Sequence, residues 1–464
     1  MLAELAHRVR SGALPARALV DDCAERIDAA NARLQAVTQL RLEQARVEAD
    51  RIDRLDPEQK AQLPLCGIPA LVKDVDDVAA MVTTHGSRLR ADDEPAAYHG
   101  RIASHLTKAG AIIIGKTNTC EFAFEGYTSN LLYGSTANPW GGQWSPGGSS
   151  GGSAASLSAA LAPIATGTDG GGSVRIPASL CGLLGYKPTN GLIGRDPIPA
   201  WIDCHTDGIM TTHTGDAQLL MSLYQGPAPG DNSGTYSPAG SAPIQRILAV
   251  PRLHGLEPLP DVIDVHFRSV LRAWADAIGA GVEWFSRSQF GAGARELMLH
   301  WETDWTAMTS AEQAQLLGRE VIRAHADAFS PQFAELMEYG LSITLDDYLA
   351  ARRRCLASRK LIDELLPPGT IVVSPTLVTT GYAPDGRMPD GSLGSPEGMA
   401  QTVLASLTGH PAVSIPAGRL PNGLPFGIQA MSARGEDGTL LDLAALLERT
   451  HGWPDAAPGY RPFE

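Results

Sequence analysis

The chain has 464 residues, 44% apolar and 19% charged, enough apolar material for one large core or two or three ordinary ones. A formal charge of −14, with no run of Lys or Arg that approaches a basic patch, argues against nucleic acid as a partner, since gripping a phosphate backbone needs grouped cations. No window approaches the ~18 consecutive apolar residues of a membrane span, and the N-terminal MLAELAHRVRSGALPARALV lacks the apolar stretch of a secretory signal.

Residues 1–55 read as two amphipathic helices, with a turn near Ser11-Gly12 and a break near Asn31. From Leu65 the pattern changes to short apolar runs between Gly and Pro. CGIPALVKD (66–74) and AIIIGKTN (111–118) read as buried strands, and RIASHLTKAG (101–110) as the helix between them. SAASLSAALA (153–162) reads as a small-residue helix able to pack closely on a sheet. Further strands are expected at 246–250, 370–376, 412–418 and 426–432, and helices at 261–279 and 438–450. This alternation implies a layered α/β architecture. The turn-rich stretch 226–243 reads as an exposed loop, because the alternation continues beyond it. The chain is therefore expected to be one unit: helices over 1–60, a core over 61–220, a mainly helical region over 221–370, and 371–464 completing the sheet. Cysteines at 23, 66, 120, 181, 204 and 355 show no CxxC pairing, as expected of buried thiols in a reducing cytoplasm.

Serine and glycine concentrate in SPGGSSGGS (145–153) and GTDGGGSVRIP (167–177), each abutting a buried element, which makes a flexible linker a poor reading. Gly170, Gly171 and Gly172 before Ser173 can offer successive bare N–H groups to a negative oxygen. A serine nucleophile needs a base. Lys73 ends the apolar run GIPALV, so its amine is carried into or beside the core, where it either pairs with an acid such as Asp74 or gives up its proton. On the segment alone both remain open.

GIPALVKD, GGSSGG and GTDGGGSVRIPAS together resemble the amidase signature family in order and spacing, with Ser149 and Ser173 separated by 173 − 149 = 24 positions. TTHGS (83–87), AGAIIIGKTNTCEFA (109–123), STANPW (135–140), CGLLGYKPT (181–189), TGHPAVSIPAG (408–418) and GLPFGIQ (423–429) extend the resemblance over most of the chain. It implies a single large domain with a central twisted mixed sheet covered by helices on both faces. It also implies cleavage of a carboxylic amide C–N bond, with Ser173 as acyl-forming nucleophile and Ser149, after a cis Gly148–Ser149 bond, as proton relay. Lys73 is implied as a neutral base and the N–H groups from Gly170 to Ser173 as oxyanion hole, with Ser150, Asp169 and Arg175 in support. No metal or cofactor is implied; the expected partner is a small-molecule amide, and a homodimer is allowed for.

The acyl pocket is expected to draw on Phe122, Ala123, Phe124, Gly126, Tyr127 and Leu131, with Trp201, Trp301 and Trp305 as further walls. Relatives commonly carry a bulkier residue at the Gly170 position and Leu at that of Tyr186, which implies extra room beside the oxyanion hole. The absence of a cationic cluster near the motifs disfavours a carboxylate-binding pocket. Asp76-Asp77 and Asp92-Asp93 read as solvated turns, DCHTD (203–207) as a polar loop at the site mouth, and His410 as structural. Other readings stay in view. GGSSGG fits G-x-S-x-G of Ser-His-Asp esterases, but no strand can precede it. The A-type subunits of glutamyl-tRNA amidotransferases, which share the family, usually read GGSIRQP, where this chain has Ile176 for Gln. A non-catalytic member would have no reason to keep all three chemical residues.

Overall fold

The computed structural model describes residues 1–231, 241–253, 258–285, 292–388 and 396–463. Thirteen strands form in it: β1 (Val37–Leu40), β2 (Pro69–Lys73), β3 (Ile112–Thr117), β4 (Ser129–Asn130), β5 (Gly134–Ser135), β6 (Ile164–Asp169), β7 (Leu184–Lys187), β8 (Thr206–Thr211), β9 (Arg246–Ala249), β10 (Val282–Trp284), β11 (Thr370–Pro375), β12 (Ala412–Arg419) and β13 (Pro425–Met431). Eleven of them join one mixed sheet in the order β1-β3-β2-β6-β8-β7-β12-β13-β11-β9-β10. Strands from residue 37 to residue 431 share that sheet, as the α/β reading requires. Of the stretch 226–243, residues 232–240 lie outside the described residues.

Both faces are covered, and the period-2 alternation of side chains shows how. Ile247, Ala249, Ile371 and Val373 join one core cluster with Phe267 and Trp274 of the helix Asp261–Ile278. Their neighbours Leu248, Val250 and Val372 join the opposite cluster, with Trp301, Trp305 and Phe333 from the helices Ala292–Leu317 and Pro331–Ser342.

The N-terminal region departs from expectation. The helix Ala16–Leu34 passes through Asn31 and ends on Gln35 in a left-handed conformation, and a strand and a third helix, Leu42–Asp53, follow. Asn31 does not break the helix. Its side chain accepts from the N–H groups of Ala36 and Val37 and donates to the Val37 carbonyl, folding the chain into β1. Strands β6, β7 and β8 also escaped the sequence reading. Thr, Gly and Asp supply many of their buried positions, so they carry no aliphatic run. All six cysteines are buried and unpaired, and among the described residues no helix is long and apolar enough to cross a membrane.

The helix Gly151–Ser158 is buried along its whole length and brings Ser149 and Ser150 onto the end of the sheet. Its close approach depends on Gly152, where a Cβ would stand 2.5 Å from the backbone N and O of Asn118. Neither atom can move without shifting the loop after β3. Gly152→Ala is expected to lose about 1–3 kcal/mol in urea unfolding, the typical range for overpacking, whereas Ala154→Gly in the same helix should lose only about 1 kcal/mol.

Candidate functional site

Strand β2 lies between β3 and β6, parallel to both, so its last residue, Lys73, emerges at the carboxyl ends of central strands, the usual location of ligand sites in such sheets. The side chain is wholly buried. Its Nζ lies 2.6 Å from Ser149 Oγ and 2.9 Å from Thr168 Oγ1, and no carboxylate pairs with it among the described residues. Asp74 is turned away from it and instead pairs at 2.9 Å with the buried Lys116 while accepting from Thr84. The ion-pair reading of Lys73 with Asp74 is therefore excluded by alternation along the chain. Burial pushes the Lys73 ammonium down to about 8, against the raising influence of Cys120, Asp76, Asp169 and Asp207.

Ser149 follows a cis peptide bond from Gly148. The backbone between β6 and the helix Arg175–Cys181 carries the second serine. Ser150 connects the two segments, its N–H donating to the Ser173 carbonyl at 3.3 Å and its hydroxyl lying 3.4 Å from the Thr168 N and O. No hydrogen bond joins the Ser149 and Ser173 hydroxyls among the described residues, although both serines line the same cavity.

Asp169 and Arg175 organise the glycine loop from behind. The guanidinium holds the carboxylate through Nε–Oδ2 (2.9 Å) and Nη2–Oδ1 (2.8 Å), and reaches the Thr402 carbonyl and Gln429 Oε1 through Nη1. Burial favours the neutral acid, but Arg175 outweighs it and holds Asp169 at about 2. The carboxylate also accepts from the N–H groups of Gly172 and Val174. The Gly172 N–H is therefore engaged, and the N–H groups of Gly170, Gly171 and Ser173 are those left without a protein acceptor among the described residues.

The cavity in front of these groups has a volume of about 280 Å³. Of the expected wall residues, Phe122, Ala123 and Trp201 line it. Phe124 stands one row back, edge-on to Trp201 at 4.8 Å. Gly126 and Tyr127 are buried outside the lining, and Tyr127 packs against Gly386. Leu131 is 38% exposed. Trp301 is engaged with Ser358, and Trp305 sits behind the glycine loop.

The extra room expected at Gly170 does not exist. A Cβ there would fall 2.4 Å from Cε3 of Trp201, so the indole already fills the space. Tyr186 is a core residue of β7 whose hydroxyl donates to Asp437, and it does not line the cavity.

Charge is where the sequence misled most. Asp76 and Asp77 line the cavity and are not solvated turn residues, and Asp76 Oδ2 is buried without a partner among the described residues. Arg90, Arg101 and Arg195 also line it, which removes the objection that cations are missing. They come from three separate segments, so no linear cluster announces them. His205 and Asp207 of DCHTD line the cavity, but the segment is not wholly a loop, since Thr206 and Asp207 open β8. Asp207 is the register partner of Thr168 across the β6–β8 ladder, which puts both side chains on the face that Lys73 occupies. Burial pushes Asp76 up to about 6 and Asp207 well above the usual carboxylate range, and the Asp76 charge raises Asp207 further. Burial also holds His85 at about 4 and His205 at about 3, so both are neutral. Neither ring is hydrogen-bonded to a serine among the described residues. Thr168 was missed because a hydroxyl in an unread strand gives no local signal. His410 is buried beside Thr408 and Asp363, away from the cavity.

The amidase family model matches residues 18–441. The putative amidase AmiB2 of Mycobacterium bovis is 32% identical over 98% of this chain and 96% of its own length. The A-type subunit of the glutamyl-tRNA(Gln) amidotransferase of a Synechococcus strain is 29% identical over 97% of this chain and 95% of its own. The peptide amidase of Stenotrophomonas maltophilia superposes with a TM-score of 0.80 at 25% identity, over 99% of this chain and 98% of that one.

The Trp201 contact makes a reciprocal test available. Gly170→Ala is expected to lower kcat/KM at least about tenfold, because a methyl group and an indole cannot share the site. Gly170→Ala with Trp201→Ala should recover part of that loss; an unaffected single variant would show that the loop yields freely.

Proposed function

The chain belongs to the amidase family, and on that premise we propose that it hydrolyses a small carboxylic amide through an acyl-Ser173 intermediate. The observation that carries this reading is a buried lysine amine, unpaired with any carboxylate among the described residues, in contact with the Ser149 hydroxyl at 2.6 Å. An amine so placed can be neutral near physiological pH, because burial penalises its charged form.

Ser173 Oγ attacks the amide carbon. Its proton passes to Ser149 Oγ as the Ser149 proton passes to Lys73 Nζ, where it stays while the ammonium donates a hydrogen bond to Thr168 Oγ1. Main-chain N–H groups of the glycine loop receive the carbonyl oxygen as it becomes negative. The relay then runs backwards, protonating the leaving nitrogen as the C–N bond breaks, and water repeats the cycle on the acyl ester. Ser173 Oγ must turn towards Ser149 for the first transfer, an adjustment of a kind common between free and substrate-bound enzymes.

A second reading is favoured by the mixed charge of the cavity. Arg90, Arg101 and Arg195 with Asp76 and Asp77 suit a zwitterion such as glutamine, whose side-chain amide would release ammonia as in the A-type component of an amidotransferase. Ammonia release from glutamine that depends on a co-purifying second protein would favour it over the simple hydrolase.

The pH dependence follows from the state of Lys73. The base must be neutral, and the neutral fraction grows as pH rises through about 8. kcat/KM is therefore expected to climb up to about tenfold per pH unit below that value and level off above it. Lys73→Ala should remove this limb and lower kcat about 10²–10⁴-fold. Ser173→Ala should abolish labelling by a fluorophosphonate, and Ser149→Ala should cost less than either, since water can replace a relay hydroxyl. A wild-type profile flat between pH 6 and 9 would count against Lys73 as the base.

A further inference from the structure

Trp305 supports the glycine loop from the side away from the cavity. It lies on the helix Ala292–Leu317, is 4% exposed, and its indole Nε1 donates to the Gly170 carbonyl at 2.7 Å. Gly171 permits this approach, since a Cβ there would stand 2.9 Å from Cζ2 and 3.1 Å from Cε2 of the indole. Trp201 packs edge-on against the same ring, with centroids 5.4 Å apart at 76°. Held on both sides, the indole has one direction in which to present its N–H.

Peptide planarity turns that contact into a statement about the next residue. In a trans peptide the carbonyl and the following N–H point in opposite directions, and the cis bonds of the described chain lie elsewhere, at 148–149 and 196–197. With the Gly170 carbonyl on the indole, the Gly171 N–H faces away from Trp305. The Gly171 carbonyl is held by Thr402 Oγ1 at 2.6 Å, which sends the Gly172 N–H back to Asp169 Oδ1 at 2.8 Å. The Gly172 carbonyl accepts from the Ile176 N–H at 2.7 Å, which turns the Ser173 N–H away from the helix. The loop thus alternates, and the Gly171 and Ser173 N–H groups turn away from their anchors with no protein acceptor among the described residues. A peptide between two glycines meets little steric resistance to flipping, so the Gly170–Gly171 unit needs an external hold.

We infer that Trp305 is a positioning residue: its indole N–H fixes the Gly170–Gly171 peptide so that the Gly171 N–H, with that of Ser173, receives the negative oxygen of the tetrahedral intermediate. The indole does not touch the substrate; it sets the direction of the donor that does. The role rests on Ser173 being the nucleophile.

The test replaces Trp305 by phenylalanine (Trp305→Phe) and, as a closer isostere, by the benzothiophene analogue of tryptophan, which removes the N–H alone. Both variants are assayed with an amide substrate and with a trifluoromethyl ketone, whose serine adduct places a charged oxygen in the same hole. The carboxylic acid product serves as a ground-state ligand. kcat is expected to fall about 10- to 100-fold, less than or near the loss from deleting a donor outright, with KM changed less than about threefold, the pattern of an interaction made in the transition state. Ketone affinity should fall by the same factor as kcat/KM, and product affinity should hold. Unchanged kcat and ketone affinity in the folded benzothiophene variant overturns the inference, and so does a matching loss of product affinity. Fluorophosphonate treatment of the wild type separates the two levels. Absence of label from Ser173 overturns the nucleophile assignment, whereas label on Ser173 at the same rate in wild type and variants overturns only the role of Trp305.

Discussion

The site depends on a lysine amine enclosed by protein and offered hydroxyl groups in place of a carboxylate. Burial removes the water that would stabilise an ammonium, and an adjacent acid would have restored its charge. Thr168 and Ser149 do neither: they satisfy the amine's hydrogen-bonding geometry without fixing its protonation state. The sheet enforces this by alternation. Lys73 and Asp74 are consecutive and leave the strand in opposite directions, so the acid neutralises Lys116 and leaves Lys73 to the serines.

A second constraint is that the glycine loop before Ser173 has no room for side chains. Cβ atoms at Gly170, Gly171 and Gly172 would meet Trp201, Trp305 and Thr402 respectively. The three glycines are therefore demanded by close approach of neighbouring side chains as well as by backbone shape; Gly172 alone among them has a positive φ, at 128°. The Asp169–Arg175 pair underlies this packing. Removing one partner from a buried pair typically costs about 3–5 kcal/mol, and removing Asp169 would also release two loop N–H groups.

The cavity mixes charge in a way that bears on what it can admit. Asp76, Asp207 and Thr168 line it in front of the buried Lys73, and burial above all keeps protons on the two acids at higher pH than usual. Arginines enter from residues 90, 101 and 195. Arg195 is engaged with Asp231 and Arg90 with Asp93, while Arg101 caps the carbonyls of Gly226 and Pro227. Phe122 and Trp201 supply the apolar side of the same lining.

How much was legible beforehand follows from how local each signal is. The helices Arg101–Lys108, Asp261–Ile278 and Asp437–Thr450 and the aliphatic strands β2, β3, β11, β12 and β13 announce themselves by periodicity within a few residues. The two glycine–serine runs and the lysine ending an apolar run are likewise contiguous, and from the sequence alone they determined the α/β class, the family likeness and the residues worth testing. Strands β6 and β8, built on Thr, Gly and Asp, offered no such run. Their register brings Thr168 and Asp207 onto Lys73's face, and no local pattern encodes a partnership 39 residues apart (207 − 168). The same holds for the arginines of the cavity, for Trp201 filling the space at Gly170, and for Trp305 moving from expected wall to loop support. Chemistry carried by adjacent residues could be read from the chain; the side of a strand, the filling of a void and the direction of a peptide N–H were decided by tertiary structure, because each depends on atoms that only folding brings within a few ångströms.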